Sequence, residues 1–103
     1  MTIKKLLISN RGEIASRIIK SAHDMGITCV AIYTEADKNT PYVREADQSF
    51  KLSDSYLNAK EILEIAKKNN VDAIHPGYGF LSENANFANN VKKAGIKWVG
   101  PSA

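Results

Sequence analysis

The chain has 103 residues and a formal net charge of +3, which suits a single domain with a buried core. Hydrophobic residues make up 44% and charged residues 24%, and no apolar run reaches the roughly 20 residues of a membrane helix. Lysines interleaved with acids, as in KEILEIAKKNN (residues 60–70), indicate a solvated helix face and argue against a nucleic-acid-binding surface.

Five short apolar segments, bounded mostly by Gly, Pro or Asn, predict β-strands. The segment at residues 49–53 is the weakest of them. Strands that are apolar throughout are buried on both faces, which favours a parallel sheet with helices on either side. In chain order the predicted strands are residues 3–9, 27–33, 49–53, 71–75 and 96–100.

Three amphipathic patterns between these strands predict helices. The first ends at Gly26, the expected left-handed stop, and the others cover residues 59–68 and 83–94. The polar stretch at residues 35–46 predicts a loop with one short helical turn. With right-handed crossovers, about five strands and three helices give a small doubly wound, Rossmann-like α/β domain.

The turn after the first strand, SNRGEIA, has one glycine where a dinucleotide-binding fingerprint needs three. Asn10 and Glu13 instead fit a capping box, with Asn10 as the N-cap of the first helix. Glu35 or Asp37, after the second strand, could act as a ribose-binding acid. Nicotinamide or flavin binding is the weaker interpretation, because this fold is reused for many functions.

The segment HPGYGFLSEN (residues 75–84) lies where open α/β sheets bind ligands, beyond the carboxyl end of a strand. Its glycines allow close backbone approach, and Tyr78 and Phe80 offer flat apolar walls. Ser82 is predicted to cap the third helix, with Glu83 in its first turn. From spacing alone, a ligand-binding loop and a self-packed loop covering the sheet end both stay open.

Two further residues are interpreted as structural. Cys29 is the single cysteine, so no internal disulfide can form, and a buried core thiol in a reducing compartment is expected. Asn58 repeats the capping pattern, with Glu61 three residues later. The apolar stretch behind the first lysines is too short for a signal peptide, so the chain is predicted to be cytoplasmic.

Two long segments, LLISNRGEIASRIIKSAHDMGI and VDAIHPGYGFLSENANFA, closely resemble the N-terminal, pre-ATP-grasp domain of biotin carboxylase. YTEAD, READ, SYLN and the closing WVGPSA follow in the family's order, so the resemblance covers nearly the whole chain. The family occurs in acetyl-CoA, propionyl-CoA, methylcrotonyl-CoA and pyruvate carboxylases. The chain departs from it at Tyr42, where relatives often have histidine, and in a shorter segment before SYLN.

The resemblance implies that the full-length protein uses MgATP and bicarbonate to carboxylate biotin on a carrier protein, for a carboxyltransferase to use. In the family the nucleotide, magnesium and catalytic residues come later than this region. Residues 1–103 are therefore expected to form the N-terminal domain, with the ATP-grasp and C-terminal domains absent from them. No catalytic residue or metal site, and no tight binding of biotin, ATP or Mg²⁺, is expected in this chain.

The resemblance also gives roles to individual residues. Arg17 matches an arginine at the family's homodimer interface, although an exposed solvated charge is an equal alternative. A stand-alone binding or oligomerisation module of the same fold remains the alternative to an enzyme domain. The loop residues are assigned to the biotin cleft (Tyr78, Gly79 and Phe80) or to support of the loop (His75, Gly77 and Glu83).

Overall fold

A computed structural model describes residues 3–100 as a five-stranded, all-parallel sheet with the strand order β3-β2-β1-β4-β5. A short 3-10 turn, Glu35–Asp37, follows the second strand. In chain order the elements are β1 (Lys5–Ile8), α1 (Gly12–Asp24), β2 (Thr28–Tyr33), α2 (Pro41–Glu45), β3 (Gln48–Lys51), α3 (Ala59–Lys68), β4 (Ala73–His75), α4 (Ala85–Lys93) and β5 (Lys97–Trp98).

The doubly wound α/β prediction is confirmed, including its weakest strand. β3 is an edge strand that pairs only with β2 among the described strands, which explains its half-exposed, less apolar sequence. The predicted number of helices was one too low for the described residues, because the polar stretch contains α2 as well as the 3-10 turn. Pro41 begins α2 at a position where a missing N–H costs nothing.

Two of the three predicted helix caps were wrong. Asn58 does cap α3, its side chain accepting a hydrogen bond from the Glu61 N–H at 3.1 Å. The N-cap of α1, however, is Arg11 rather than Asn10, and it makes no side-chain cap bond. The N-cap of α4 is Asn84, which accepts from the Phe87 N–H at 2.9 Å, so Ser82 and Glu83 lie before the helix.

The core has one layer on each face of the sheet. On one face α3 and α4 pack on the strands through residues such as Ile62 and Phe87. On the other face α1 and α2 pack through Ile19 and Tyr42, and the predicted core thiol of Cys29 is fully buried there. Within residues 3–100, no helix has the length and apolar character needed to cross a membrane.

Candidate functional site

The two loops singled out in the sequence meet at the carboxyl edge of the sheet. β1 and β4 are neighbouring parallel strands, with Ile8 in register with His75. The ladder continues past β1, because the Ser9 N–H donates to the His75 carbonyl at 2.9 Å. The loop after β1 and the HPGYGFLSEN loop after β4, called here the cleft loop (residues 75–84), therefore lie side by side.

Asn10 joins the two loops through its side chain. Its Nδ2 donates to the Pro76 carbonyl at 2.8 Å and to the Tyr78 carbonyl at 2.7 Å, and the residue is only 1% exposed. A Cβ atom on Gly77 would lie 2.7 Å from that same Nδ2, so glycine is needed for the close approach. Asn10 is thus part of the candidate site. Sequence analysis missed this role because Asn10 also fits the pattern of a capping box.

The backbone of the cleft loop is held in an uncommon conformation. Gly77 and Gly79 have φ angles of +63° and +68°, and Phe80, which is not a glycine, has a φ of +50°. The Ser82 N–H closes the turn on the Gly79 carbonyl at 2.9 Å, and the Leu81 side chain is buried in the core. The loop shape is consequently fixed by its own backbone and by Asn10.

This rigid loop displays two aromatic rings differently. Tyr78 is 78% exposed, whereas Phe80 is 44% exposed and packs on Tyr56 with ring centroids 5.3 Å apart and planes inclined at 50°. Of the two interpretations left open by the sequence, the self-packed one applies to Phe80. The ring of Tyr78 is the more accessible of the two to a ligand.

An open groove of about 710 Å³ runs between the cleft loop and α1. Apolar side chains, including Ile14 and Ile18, line it, and Tyr78, Gly77 and His75 contribute from the loop. Glu83, by contrast, is exposed in the turn before α4 and is not among the described residues that line the groove. The groove combines an apolar lining with loop backbone, which suits a compact, mostly apolar ligand.

His75 supports the loop from within. Its Nδ1 accepts a hydrogen bond from the Gly77 N–H at 3.1 Å, so that nitrogen carries no proton. Burial lowers the pKa of the imidazole, which favours the neutral ring. The geometry therefore makes His75 a local hydrogen-bonding group at the start of the cleft loop.

The buried carboxylate of Asp37 connects the loop after β1 to Tyr56, the residue whose ring packs on Phe80. Asp37, 4% exposed, receives a bidentate pair from Arg11, Nε to Oδ2 and an Nη to Oδ1, both at 2.6 Å. The Tyr56 hydroxyl donates to the same Asp37 at 2.5 Å, and the Tyr42 hydroxyl lies 2.6 Å from that of Tyr56. The Arg11 guanidinium lowers the pKa of Asp37 despite its burial, so the carboxylate stays charged.

Neither acid proposed for ribose binding is available for that role. Asp37 is occupied by Arg11 and Tyr56, as described. Glu35 is exposed and pairs with Lys38 at 2.5 Å and Lys51 at 2.6 Å, and hydrogen bonds from these two lysines lower its pKa to about 2. The geometry gives no support to nicotinamide or flavin binding.

Arg17 lies on the exposed side of α1. It lines the groove described above and also a second groove of about 730 Å³, which continues toward α2. An arginine between two grooves can reach either a partner surface or solvent, so both interpretations of Arg17 persist.

Comparison with known proteins gives concordant results. The family model for "Biotin carboxylase, N-terminal domain" matches residues 2–103. Biotin carboxylase 1 of Bacillus subtilis is 53% identical over 98% of this chain, which covers 24% of that protein. Pyruvate carboxylase of Staphylococcus aureus is 50% identical over 96% of this chain, which covers 9% of that protein. The chain thus spans about a quarter or less of these relatives.

The fold also matches a solved structure of a carboxylase. The biotin carboxylase domain dimer of Hydrogenobacter thermophilus 2-oxoglutarate carboxylase superposes with a TM-score of 0.95 and 42% identity. The match covers 99% of this chain and 23% of that one. That structure was solved as a dimer with MgADP, ADP and bicarbonate.

Proposed function

This chain belongs to the biotin carboxylase N-terminal domain family, and on that basis we propose that it forms one wall of a biotin-carboxylating active site. In the full-length protein, MgATP would activate bicarbonate, and a ureido nitrogen of biotin would accept the carboxyl group. The final product would be the carboxylated biotin of a carrier protein. A stand-alone non-catalytic module is not favoured, because the curated relatives described above are carboxylases.

The observation that carries this proposal is an exposed ring on a fixed loop. Tyr78 is 78% exposed, while its own carbonyl is held by Asn10. The bicyclic ring system of biotin is compact and largely apolar, with a polar ureido edge. Tyr78 and the groove would cover its apolar face, and the backbone at Gly79 and Phe80 would lie close to its polar edge.

The chemistry itself is assigned to the remainder of the protein. Two ionisable groups beside the cleft are already engaged, since the His75 Nδ1 accepts a hydrogen bond from Gly77 and Asp37 is paired with Arg11. Neither is placed as a general acid or base. We therefore assign ATP and Mg²⁺ binding to ATP-grasp and C-terminal domains outside residues 1–103.

The proposed partners follow from the same reasoning. A carrier protein would bring biotin to the cleft, and a carboxyltransferase would use the carboxylated product. The domain dimer of the Hydrogenobacter relative supports a homodimer, in which Arg17 on α1 would lie at the contact. The unpaired thiol of Cys29 is consistent with a reducing, cytoplasmic setting.

Replacement of Tyr78 tests the proposed cleft. In the full-length protein, Tyr78→Ala should raise the KM for free biotin about fivefold, because one aromatic wall contributes about 1 kcal/mol. The KM for ATP should stay unchanged, and Tyr78→Phe, which keeps the ring, should behave like the wild type. Steady-state kinetics with biotin and ATP varied separately would measure both constants.

Two results would argue against this assignment. An unchanged KM for biotin in Tyr78→Ala would remove the ring from the biotin site. A large loss of folding stability in urea, with normal kinetics of the folded fraction, would show that the ring is part of the scaffold.

A further inference from the structure

A cluster of three possible metal ligands lies at the amino-terminal end of the strands, opposite the end that carries the cleft loop. His23 is in the last turn of α1, Cys29 is the second residue of β2, and Asp47 immediately precedes β3. One imidazole nitrogen, the thiol sulfur and a carboxylate oxygen lie within 4.8 Å of one another. Three separate parts of the chain thus bring an imidazole, a thiol and a carboxylate to one point, although 18 residues separate Cys29 from Asp47.

The backbone preorganises two of these residues. The Cys29 N–H donates to Asp47 Oδ2 at 2.7 Å, and the Asp47 N–H donates to the Cys29 carbonyl at 3.0 Å. This reciprocal pair fixes the carboxylate beside the cysteine. His23 Nε2 lies 2.8 Å from the same Asp47 Oδ2, which places the third ligand.

Access from solvent is also provided. The side chains of His23 and Asp47 are 38% and 45% exposed, whereas Cys29 is fully buried beneath them. An ion would therefore enter from the solvent side, between the imidazole and the carboxylate, and meet the buried sulfur. A water molecule could complete the coordination on the solvent side.

We propose that His23, Cys29 and Asp47 form a binding site for a borderline-soft divalent ion, with Zn²⁺ as the preferred metal. Nitrogen, sulfur and oxygen ligands lie about 2.0–2.3 Å from zinc, so tetrahedral donors are spaced about 3.3–3.7 Å apart. The His23–Asp47 pair would open by about 0.5 Å, and the sulfur would approach its partners by at most about 1.5 Å.

The Cys29 sulfur would bind the ion as a thiolate, so metal binding would release the thiol proton. The bound ion would fasten the end of α1 to β2 and to the start of β3, a structural role that does not depend on the proposed biotin site.

Cobalt gives a direct test, because thiolate ligation of Co²⁺ produces a near-ultraviolet charge-transfer band. The full chain, freed of metal, should bind one equivalent of Co²⁺ with that band, and Zn²⁺ should displace it. Cys29→Ser should abolish the band. His23→Gln, which can still hydrogen-bond to Asp47, should weaken Zn²⁺ binding at least about tenfold. Asp24→Asn changes a nearby exposed acid outside the cluster and should bind like the wild type.

The outcomes separate a site from a simple ion pair. Absence of the band in the wild type would overturn the proposal, and so would its persistence in Cys29→Ser. Equal Zn²⁺ affinities of His23→Gln and Asp24→Asn would also overturn it. Because His23 is exposed, its replacement should leave folding intact, and circular dichroism of each variant checks this.

Discussion

Replacing Gly77 by alanine should disrupt the junction of the two loops. The new Cβ would lie 2.7 Å from Asn10 Nδ2 and 2.9 Å from Ile14 Cγ2, both closer than real carbon contacts. The Asn10 side chain would therefore have to move, and the Ile14 side chain on α1 would have to shift as well. Movement of Asn10 would break the hydrogen bonds to the carbonyls of Pro76 and Tyr78.

The expected loss of stability has two parts. Alanine at a φ of +63° costs about 1 kcal/mol in backbone strain. Breaking two hydrogen bonds, one buried and one partly buried, adds about 1 kcal/mol each. The free energy of unfolding should therefore fall by about 3 kcal/mol, a large part of the 5–15 kcal/mol typical of a domain.

Gly79 provides a matched control within the same loop. Its φ is +68°, but a Cβ there would meet nothing within 4 Å, so Gly79→Ala should cost only the strain of about 1 kcal/mol. Urea unfolding of the 103-residue chain, followed by the fluorescence of its single tryptophan, Trp98, would compare the two variants. In an Asn10→Ala background, the extra cost of Gly77→Ala should shrink but stay above that of Gly79→Ala, because the contact with Ile14 Cγ2 remains.

Equal destabilisation by the two alanine variants would refute this reasoning, since it would mean that the clash with Asn10 is relieved without cost. Strict additivity of Asn10→Ala and Gly77→Ala would refute it as well.

Two further predictions concern charged residues. If Arg17 lies at a homodimer contact, Arg17→Ala in the full-length protein should weaken dimerisation without disturbing α1, because alanine favours helix. Sedimentation over a dilution series would measure the concentration at which the dimer dissociates. An unchanged dissociation midpoint would show that Arg17 is a solvated charge. Asp37→Asn should cost about 2–3 kcal/mol at pH 7, because it replaces the buried, charged acceptor of Arg11 and Tyr56 by a neutral amide. Folding lowers the pKa of Asp37 from its ordinary 3.8. The carboxylate therefore contributes to folding stability above pH 3.8, and this contribution is lost as the pH falls below that value. Urea titrations should find the deficit of Asp37→Asn shrinking below about pH 4, and a constant deficit would contradict the pairing.

The periodic elements were predictable because their signals are local. The short apolar runs that predict the strands, and the 3.6-residue periodicity of α1, α3 and α4, depend only on residues that are neighbours in sequence. One short helical turn was predicted in residues 35–46, whereas the stretch holds both the 3-10 turn and α2. Five residues give too little periodicity to identify α2 separately, although Pro41 marked its start. Asn58 was predicted correctly as a cap for the same reason, since its partner lies three residues away.

The site was harder to predict because its contacts are distant in sequence. Asn10 fitted a local cap, but its amide bonds to carbonyls 66 and 68 residues away. Ser82 failed as a cap because Gly79 and Phe80 turn the backbone before it, and α4 begins only at Ala85, after its N-cap Asn84. The sequence did contain one indication of this contact. The cleft loop is rich in glycine, so it has few side chains of its own to donate hydrogen bonds to its carbonyls, and a donor from the neighbouring loop is expected.

Asn10 binds main-chain carbonyls of the cleft loop and no side chain of it. The shape of the loop therefore does not depend on which side chain stands at position 78. Position 78 can therefore vary while the loop keeps its path. Tyr78 could be replaced by tryptophan, leucine or a charged residue while the backbone of the loop stays the same. Selectivity for new ligands could be engineered there one side chain at a time, without redesigning the backbone.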